Sequence, residues 1–134
     1  MKHKLIHPLR IDWSDLDYFG HVNNVSYFRF IQSARVNYWD KCGITERHLN
    51  AGIGPILASC KCDFKLPLFY PGNITIETEL DFLRSSSFGF QHTLYNDNGD
   101  VAALASDVMV MFDFKKNIKV IIDEEWRHRI SMKY

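Results

Sequence analysis

The segment Trp13-Ser14-Asp15-Leu16-Asp17-Tyr18-Phe19-Gly20-His21-Val22-Asn23-Asn24 gathers two carboxylates, one imidazole, one glycine and two carboxamides. It lies directly ahead of a long amphipathic stretch. A helix N-terminus offers unpaired backbone N–H groups and the positive end of the helix dipole. Such groups polarise a carbonyl and hold the oxyanion that forms when it is attacked. A carboxylate held nearby can attack that carbonyl or take a proton from water. The combination suits hydrolysis of an activated ester. Asp and Asn before a helix are also ordinary turn and cap residues, so the segment by itself leaves both readings open.

The flanking pattern shows what would position these groups. Residues 4–13 alternate with a two-residue period that puts Leu5, His7, Leu9, Ile11 and Trp13 on one face of a strand. Pro8 cannot donate to a ladder and marks that strand as an edge or a bulge. After the polar loop 14–23 the period changes. Tyr27, Phe28, Ile31, Ala34, Tyr38 and Cys42 recur at three- and four-residue steps, which predicts a helix over 24–42. Asn23 or Asn24 caps its start and Gly43 suits its end. A short helical turn is expected at 45–51.

Strands are then expected. Ala58, Cys60, Cys62, Phe64 and Leu66 alternate with Lys61, Asp63 and Lys65. Ile74, Ile76, Thr78, Leu80 and Phe82 alternate with Thr75, Glu77, Glu79 and Asp81. Further strands run over about 87–95 and 101–114, joined by the turn Asn96-Asp97-Asn98-Gly99. A short apolar segment and the charged stretch Trp126–Ile130 close the chain. Strands linked by tight turns make an antiparallel sheet, and a single long helix must cover one of its faces. The class is α+β, with a curved sheet around one central helix.

The segment 13–24 resembles the signature of hotdog-fold acyl-CoA thioesterases of the 4-hydroxybenzoyl-CoA thioesterase type. Tyr27-Phe28-Arg29-Phe30, Ala34-Arg35, Lys41-Cys42-Gly43, Gly54-Pro55-Ile56 and the stretch from Pro71-Gly72 to Glu77-Thr78 carry the resemblance along nearly the whole chain. It implies a hotdog fold and makes Asp17, the second Asp of the D-x-D pair, the catalytic residue, as nucleophile or as general base. It implies an oxyanion hole of backbone amides near Asn23, Asn24 and Val25. It gives Gly20 the role of letting the backbone approach the thioester. Asp15 is expected to orient the loop or contact substrate, and His21 to bind or orient substrate. A basic cluster that holds the nucleotide of CoA in that family falls on Arg84-Ser85-Ser86, where Arg84 alone is charged. Coenzyme A enters as part of the substrate, and no metal or other cofactor is implied. The family forms homodimers or homotetramers with sites between subunits.

The thin charge near Arg84 also admits an acyl-carrier-protein thioester. The loop is similar to that of plant acyl-carrier-protein thioesterases, D-x-N-x-H, but has Phe19 in place of the Asn. Hotdog hydratases use D-x-N-P-x-H, and here the Asn-Pro pair is missing and the Asp–His spacing is one shorter. A non-enzymatic acyl-CoA binding module would need no carboxylate at the thioester, so Asp17 weighs against that reading.

Composition narrows the remaining classes. Sixteen basic and sixteen acidic residues cancel, which argues against a nucleic-acid partner, since phosphate contacts need a basic excess. Three cysteines, Cys42, Cys60 and Cys62, do not make a disulfide framework, and zinc would need further ligands at suitable spacing. His3, His7, His48, His92 and His128 are scattered and read as surface or core. Met1–Arg10 lacks the apolar core of a signal peptide. The longest apolar runs fall far short of the ~20 residues that cross a bilayer. A cytoplasmic protein with no membrane partner, folded as one domain over 1–134, is expected.

Overall fold

Asn24–Cys42 forms the long helix α1. The computed structural model describes residues 4–134, so His3 and the first residues of the N-terminal segment lie outside it. Asn23 caps α1: its extended backbone (φ −63°, ψ 143°) turns the chain, and its side-chain oxygen accepts from Val25 N at 3.1 Å. Gly43, at φ 88°, ends the helix in the left-handed region. Tyr27, Phe30, Ile31, Ala34, Tyr38 and Cys42 are buried along one side. Phe28, expected on that stripe, is 38% exposed. Phe30 takes its place, because it stands three residues from Tyr27 and four from Ala34, whereas Phe28 is one step round the helix from Tyr27.

The sheet is antiparallel throughout. Its strands are β1 (Lys4–Arg10), β2 (Ile53–Phe64), β3 (Asn73–Leu83), β4 (Ser87–Tyr95), β5 (Val101–Asp113) and the short β6 (Ile118–Lys119). The order is β1-β3-β4-β5-β2, with β6 on β5. β1 is an edge, one of the two places that Pro8 allows. It stops at Arg10, and a 3₁₀ turn over Trp13–Asp15 breaks the alternation. Trp13 is therefore 71% exposed rather than inward. Ile74, Ile76, Phe88, Phe90, Leu94, Met109 and Met111 are fully buried on the face that α1 covers. Each such side chain contributes roughly 1.5–3 kcal/mol through removal from water. This is the hotdog arrangement expected from the sequence.

β2 is the other edge. A register shift between Leu57 and Ser59 disturbs its alternation. Cys60 and Cys62 are half-buried against the core, as expected. Ala58 beside the shift, and Phe64 and Leu66 at the strand's end, are exposed. Two short helices complete the chain, α2 (Ile44–Ala51) and α3 (Glu124–Ser131). The second of these covers the charged stretch Trp126–Ile130. Asp123 caps it through Trp126 N at 3.1 Å, and Trp126 and Ile130, one turn apart, are buried. No helix among the described residues is long and apolar enough to cross a membrane.

A network of polar side chains sits inside the core. Arg35 from α1 donates to Asp107 Oδ2 and Oδ1 at 2.8 and 3.2 Å. His92 Nε2 lies 2.6 Å from the same carboxylate, and its Nδ1 lies 2.7 Å from Thr78 Oγ1. The network joins α1 to β3, β4 and β5. Burial raises the Asp107 pKa, but His92 and Arg35 more than reverse this and bring it down to about 2. His92 is thus a core histidine with fixed partners.

Candidate active site

Leu16 and Val22 bridge as antiparallel partners, so residues 17–21 close into a tight loop. Asp17 N donates to the His21 carbonyl at 2.7 Å, and Gly20 N donates to the Asp17 carbonyl at 3.2 Å. Gly20 adopts φ +83° with nothing within 4 Å of where a Cβ would stand. Its requirement is conformational: the turn needs a left-handed residue. The close approach expected of it is made to nothing in the chain itself. Val22 N donates to the Leu68 carbonyl at 2.9 Å, which ties the loop to the segment preceding β3.

This loop fixes the Asp17 carboxylate. Oδ1 accepts from Phe19 N at 2.9 Å and from His21 N at 3.1 Å. Oδ2 accepts from no group among the described residues. Asp17 lines a cleft of about 420 Å³ together with His21, Asn24, Tyr27, Phe64 and Leu66. Tyr27 Oη donates to the Leu66 carbonyl at 3.2 Å and its ring meets Phe64 edge-on, so that wall is apolar and rigid. The His21 ring stands edge-on to Phe69 at 5.1 Å. It borders the cleft without bonding to Asp17.

The three amides expected to form an oxyanion hole differ in availability. Asn23 N donates to the Asp15 carbonyl at 2.8 Å, and Val25 N donates to the Asn23 side chain. Asn24 N, at the first position of α1, has no acceptor among the described residues. The Asn23 side chain gives its Oδ1 to the cap. Asp15 departs from the substrate-contacting expectation. It is 4% exposed, with Oδ2 accepting from Asp12 N at 2.8 Å and Oδ1 from Arg29 Nη2 at 2.6 Å. Burial raises its pKa, and the Asp12 amide and Arg29 outweigh that to leave it lowered. Both Asp15 oxygens are thus held within the chain, one by the loop backbone and one by α1.

Arg84, Ser85 and Ser86 lie in the turn between β3 and β4, and β3 runs its full length from the Gly72 end beside the loop to reach them. Eleven residues at about 3.3 Å each separate the two ends, so one chain does not bring these residues to Asp17. The Arg84 guanidinium stacks on Phe82 at 4.4 Å. Arg127 of α3 donates to the Arg84 carbonyl at 2.8 Å, which adds a second positive charge at this turn beyond the expected Arg84. No three His, Cys, Asp or Glu side chains are gathered as a metal would need, among the described residues. Burial raises the thiols of Cys42, Cys60 and Cys62 to about 11, 12 and 11, so none is a thiolate nucleophile at neutral pH.

Comparison with known proteins places this geometry. The family model of the thioesterase-like superfamily matches residues 11–130. The 4-hydroxybenzoyl-CoA thioesterase of Pseudomonas sp. (strain CBS-3) is 32% identical over 92 residues, which span 63% of each chain. Among solved structures, the 1,4-dihydroxy-2-naphthoyl-CoA (DHNA-CoA) thioesterase of Staphylococcus aureus superposes with a TM-score of 0.87 at 16% identity, over 96% of this chain and 89% of that one. A mutant 4-hydroxybenzoyl-CoA thioesterase complexed with 4-hydroxybenzoyl-CoA gives 0.84 at 24% identity, over 97% and 99% of the two chains. The structural likenesses establish the shared fold, and the family match over 11–130 establishes the lineage. The chain belongs to the thioesterase-like superfamily of hotdog-fold thioester hydrolases.

Proposed function

We propose that this protein is an acyl-CoA thioesterase that cleaves an acyl-CoA with water to a free acid and CoA. The observation that carries the reading is the asymmetry of the Asp17 carboxylate: two amides hold one oxygen, and the other is left to the cleft that Asn24 also lines. The thioester carbonyl carbon sits against that open oxygen, with the carbonyl oxygen toward Asn24 N–H. In the general-base route, Asp17 takes a proton from water, the hydroxyl adds to the carbon, and the tetrahedral intermediate breaks its C–S bond to release the CoA thiolate, which takes up that proton. In the nucleophilic route, Asp17 adds directly, CoA leaves as thiolate, and water then cleaves the acyl–aspartyl anhydride. Either way negative charge builds on the carbonyl oxygen, and the amide at the positive end of α1 meets it. Asn24 is the donor ready for that role, because the Val25 amide is already engaged. Gly20 holds the turn, and His21 and the wall of Tyr27, Phe64 and Leu66 orient the substrate.

Arg84, Ser85 and Ser86 bind the phosphate end of the carrier, and a second copy of the chain is what brings them to the cleft. The exposed β2 edge, with Ile56, Leu57 and Phe64 on its surface, supports such pairing in a homodimer or homotetramer. A panel of acyl-CoA and acyl-carrier-protein thioesters assayed by thiol release tests the reading. Release from at least one acyl-CoA is expected. Release from carrier-protein thioesters alone would move the substrate to a protein-bound pantetheine, in keeping with the modest charge at Arg84. Tight binding with release from none would make the chain an acyl-CoA binding module.

A further inference from the structure

Asp17 and the Asn24 amide come from two different elements, the acidic loop and α1, so their separation depends on what joins the two. One buried residue does most of the joining. The Asp15 carboxylate takes Asp12 N at the start of the loop and Arg29 Nη2 on the second turn of α1. The Asp15 carbonyl takes Asn23 N at 2.8 Å and Ser26 Oγ at 3.4 Å. Asp17 follows two residues after Asp15, and Asn24 follows directly after Asn23. A shift of α1 against the loop must break bonds to Asp15.

Arg29 supplies the positive charge in this joint. The Asp15 side chain is 5% exposed and that of Arg29 is 53% exposed, so a buried carboxylate is neutralised by a group reachable from solvent. The guanidinium also lies 4.8 Å over the Phe30 ring, which restricts where it can swing. Arg29 lines a separate polar cleft of about 430 Å³ with His7, Ser33 and Asn37, and is not among the residues lining the cleft with Asp17. Without it, the Asp15 carboxylate would be buried without a counter-charge, and such groups relax their surroundings or take up a proton.

We propose that Arg29 is a positioning residue for the thioester site: through its ion pair with Asp15 it sets the placement of the Asp17 carboxylate relative to the Asn24 amide. The inference rests on the roles given above to Asp17 and Asn24. A misplacement of about 1 Å in a reacting geometry can cost on the order of 10²-fold in rate, so the effect falls on kcat, while KM is largely kept.

The test compares wild type, Arg29→Ala, Arg29→Gln, Asp15→Asn and Asp17→Asn on the best acyl-CoA substrate, at a temperature where circular dichroism shows each folded. Millimolar methylguanidinium is then added. The expected result is a fall in kcat of about 10- to 100-fold for Arg29→Ala, with KM within about threefold. Methylguanidinium should restore part of that kcat in Arg29→Ala and none in wild type or Asp15→Asn. Arg29→Gln, which keeps bulk without charge, should fall likewise and serves if Arg29→Ala does not fold. Wild-type kcat in an Arg29 variant, a loss confined to KM, or a kcat loss that methylguanidinium leaves untouched would overturn the proposal. If Asp17→Asn is inactive while the Arg29 variants are normal, the positioning role alone fails. If Asp17→Asn keeps its turnover, the reading of the site fails and this proposal with it.

Discussion

Arg35 grips Asp107 by two hydrogen bonds, at 2.8 and 3.2 Å, with the side chains 6% and 0% exposed. The pair ties α1 to β5. Deleting Arg35 strips the buried Asp107 carboxylate of its permanent counter-charge and leaves it His92 Nε2 at 2.6 Å, which costs up to about 3–5 kcal/mol. Arg35→Met should therefore lower the unfolding free energy by up to that amount, whereas Arg35→Met combined with Asp107→Leu should lose less than the sum of the two single changes. Urea denaturation of the three variants measures this, and additive losses would show that the pair is not coupled.

Acid should expose the same pair. The Asp107 pKa is depressed from 3.8 to about 2 in the folded protein. A depressed carboxylate takes up its proton more readily when unfolded, so its stabilisation is complete above about pH 4 and disappears as pH falls through about 2. At neutral pH it amounts to roughly 2–3 kcal/mol. Unfolding free energy followed from pH 5 to pH 2 should decline in that window. Asp107→Asn should start lower and decline less steeply; an unchanged slope in Asp107→Asn would assign the acid sensitivity to other groups.

Within the chain Gly20 is needed for its backbone angle, since nothing stands within 4 Å of a Cβ there. Gly20→Ala should cost about 1–2 kcal/mol through the left-handed conformation. It should also lower kcat, because the amides of Phe19 and His21 on either side of Gly20 hold the Asp17 carboxylate. Gly20→Asn should be milder on both counts, since Asn tolerates that region. Thermal melts alongside kcat check the ranking, and equal effects of the two substitutions would point to side-chain crowding instead.

Much of this architecture was legible in the sequence. The stripe of Tyr27, Ile31, Ala34, Tyr38 and Cys42, the cap at Asn23, the stop at Gly43 and the turn at Asn96–Gly99 are local signals, and the chain folds as they direct. The 3₁₀ turn that throws Trp13 outward is a tertiary choice that alternation does not encode. α3 could have been found: Asp123 ahead of Glu124 and Glu125, with His128 and Arg129 a turn later, is a capped and charge-ordered helix. The core network left a fainter mark. Arg35 lies on the apolar side of α1 between Ile31 and Tyr38, and Asp107 lies on the inward alternation of Ala105 and Met109. A charge on each of two apolar faces is the sign of a buried pair. At the candidate site, the loop and the Asp17–helix juxtaposition were readable. Which amides were already engaged was not, because the Asn23 side chain and the Asp15 carbonyl choose their partners only in the folded geometry.

Asn24 offers a clean test of the oxyanion donor. It occupies the first position of α1, where proline fits because the lost N–H has no helical acceptor. Asn23 already has the extended backbone that a residue before proline requires, φ −63° and ψ 143°. Asn24→Pro should keep the fold to within about 0.5 kcal/mol and lower kcat by about 10²–10³. Asn24→Ala, which keeps the amide, should retain most of the rate. Loss in Asn24→Ala matching that in Asn24→Pro would transfer the role from the backbone to the side chain.

Thioester hydrolysis through the Asp17 carboxylate can be tested directly. Its most direct measurement is single-turnover thiol release from an acyl-CoA substrate by wild type and by Asp17→Asn, with folding of the variant checked by its urea midpoint. Asn keeps the acceptor oxygen that the Phe19 and His21 amides hold but can neither take a proton nor form the anhydride. The expected outcome is a folded variant that still binds acyl-CoA and releases thiol at least about 10²-fold more slowly. A folded Asp17→Asn protein that turns over near the wild-type rate would contradict it.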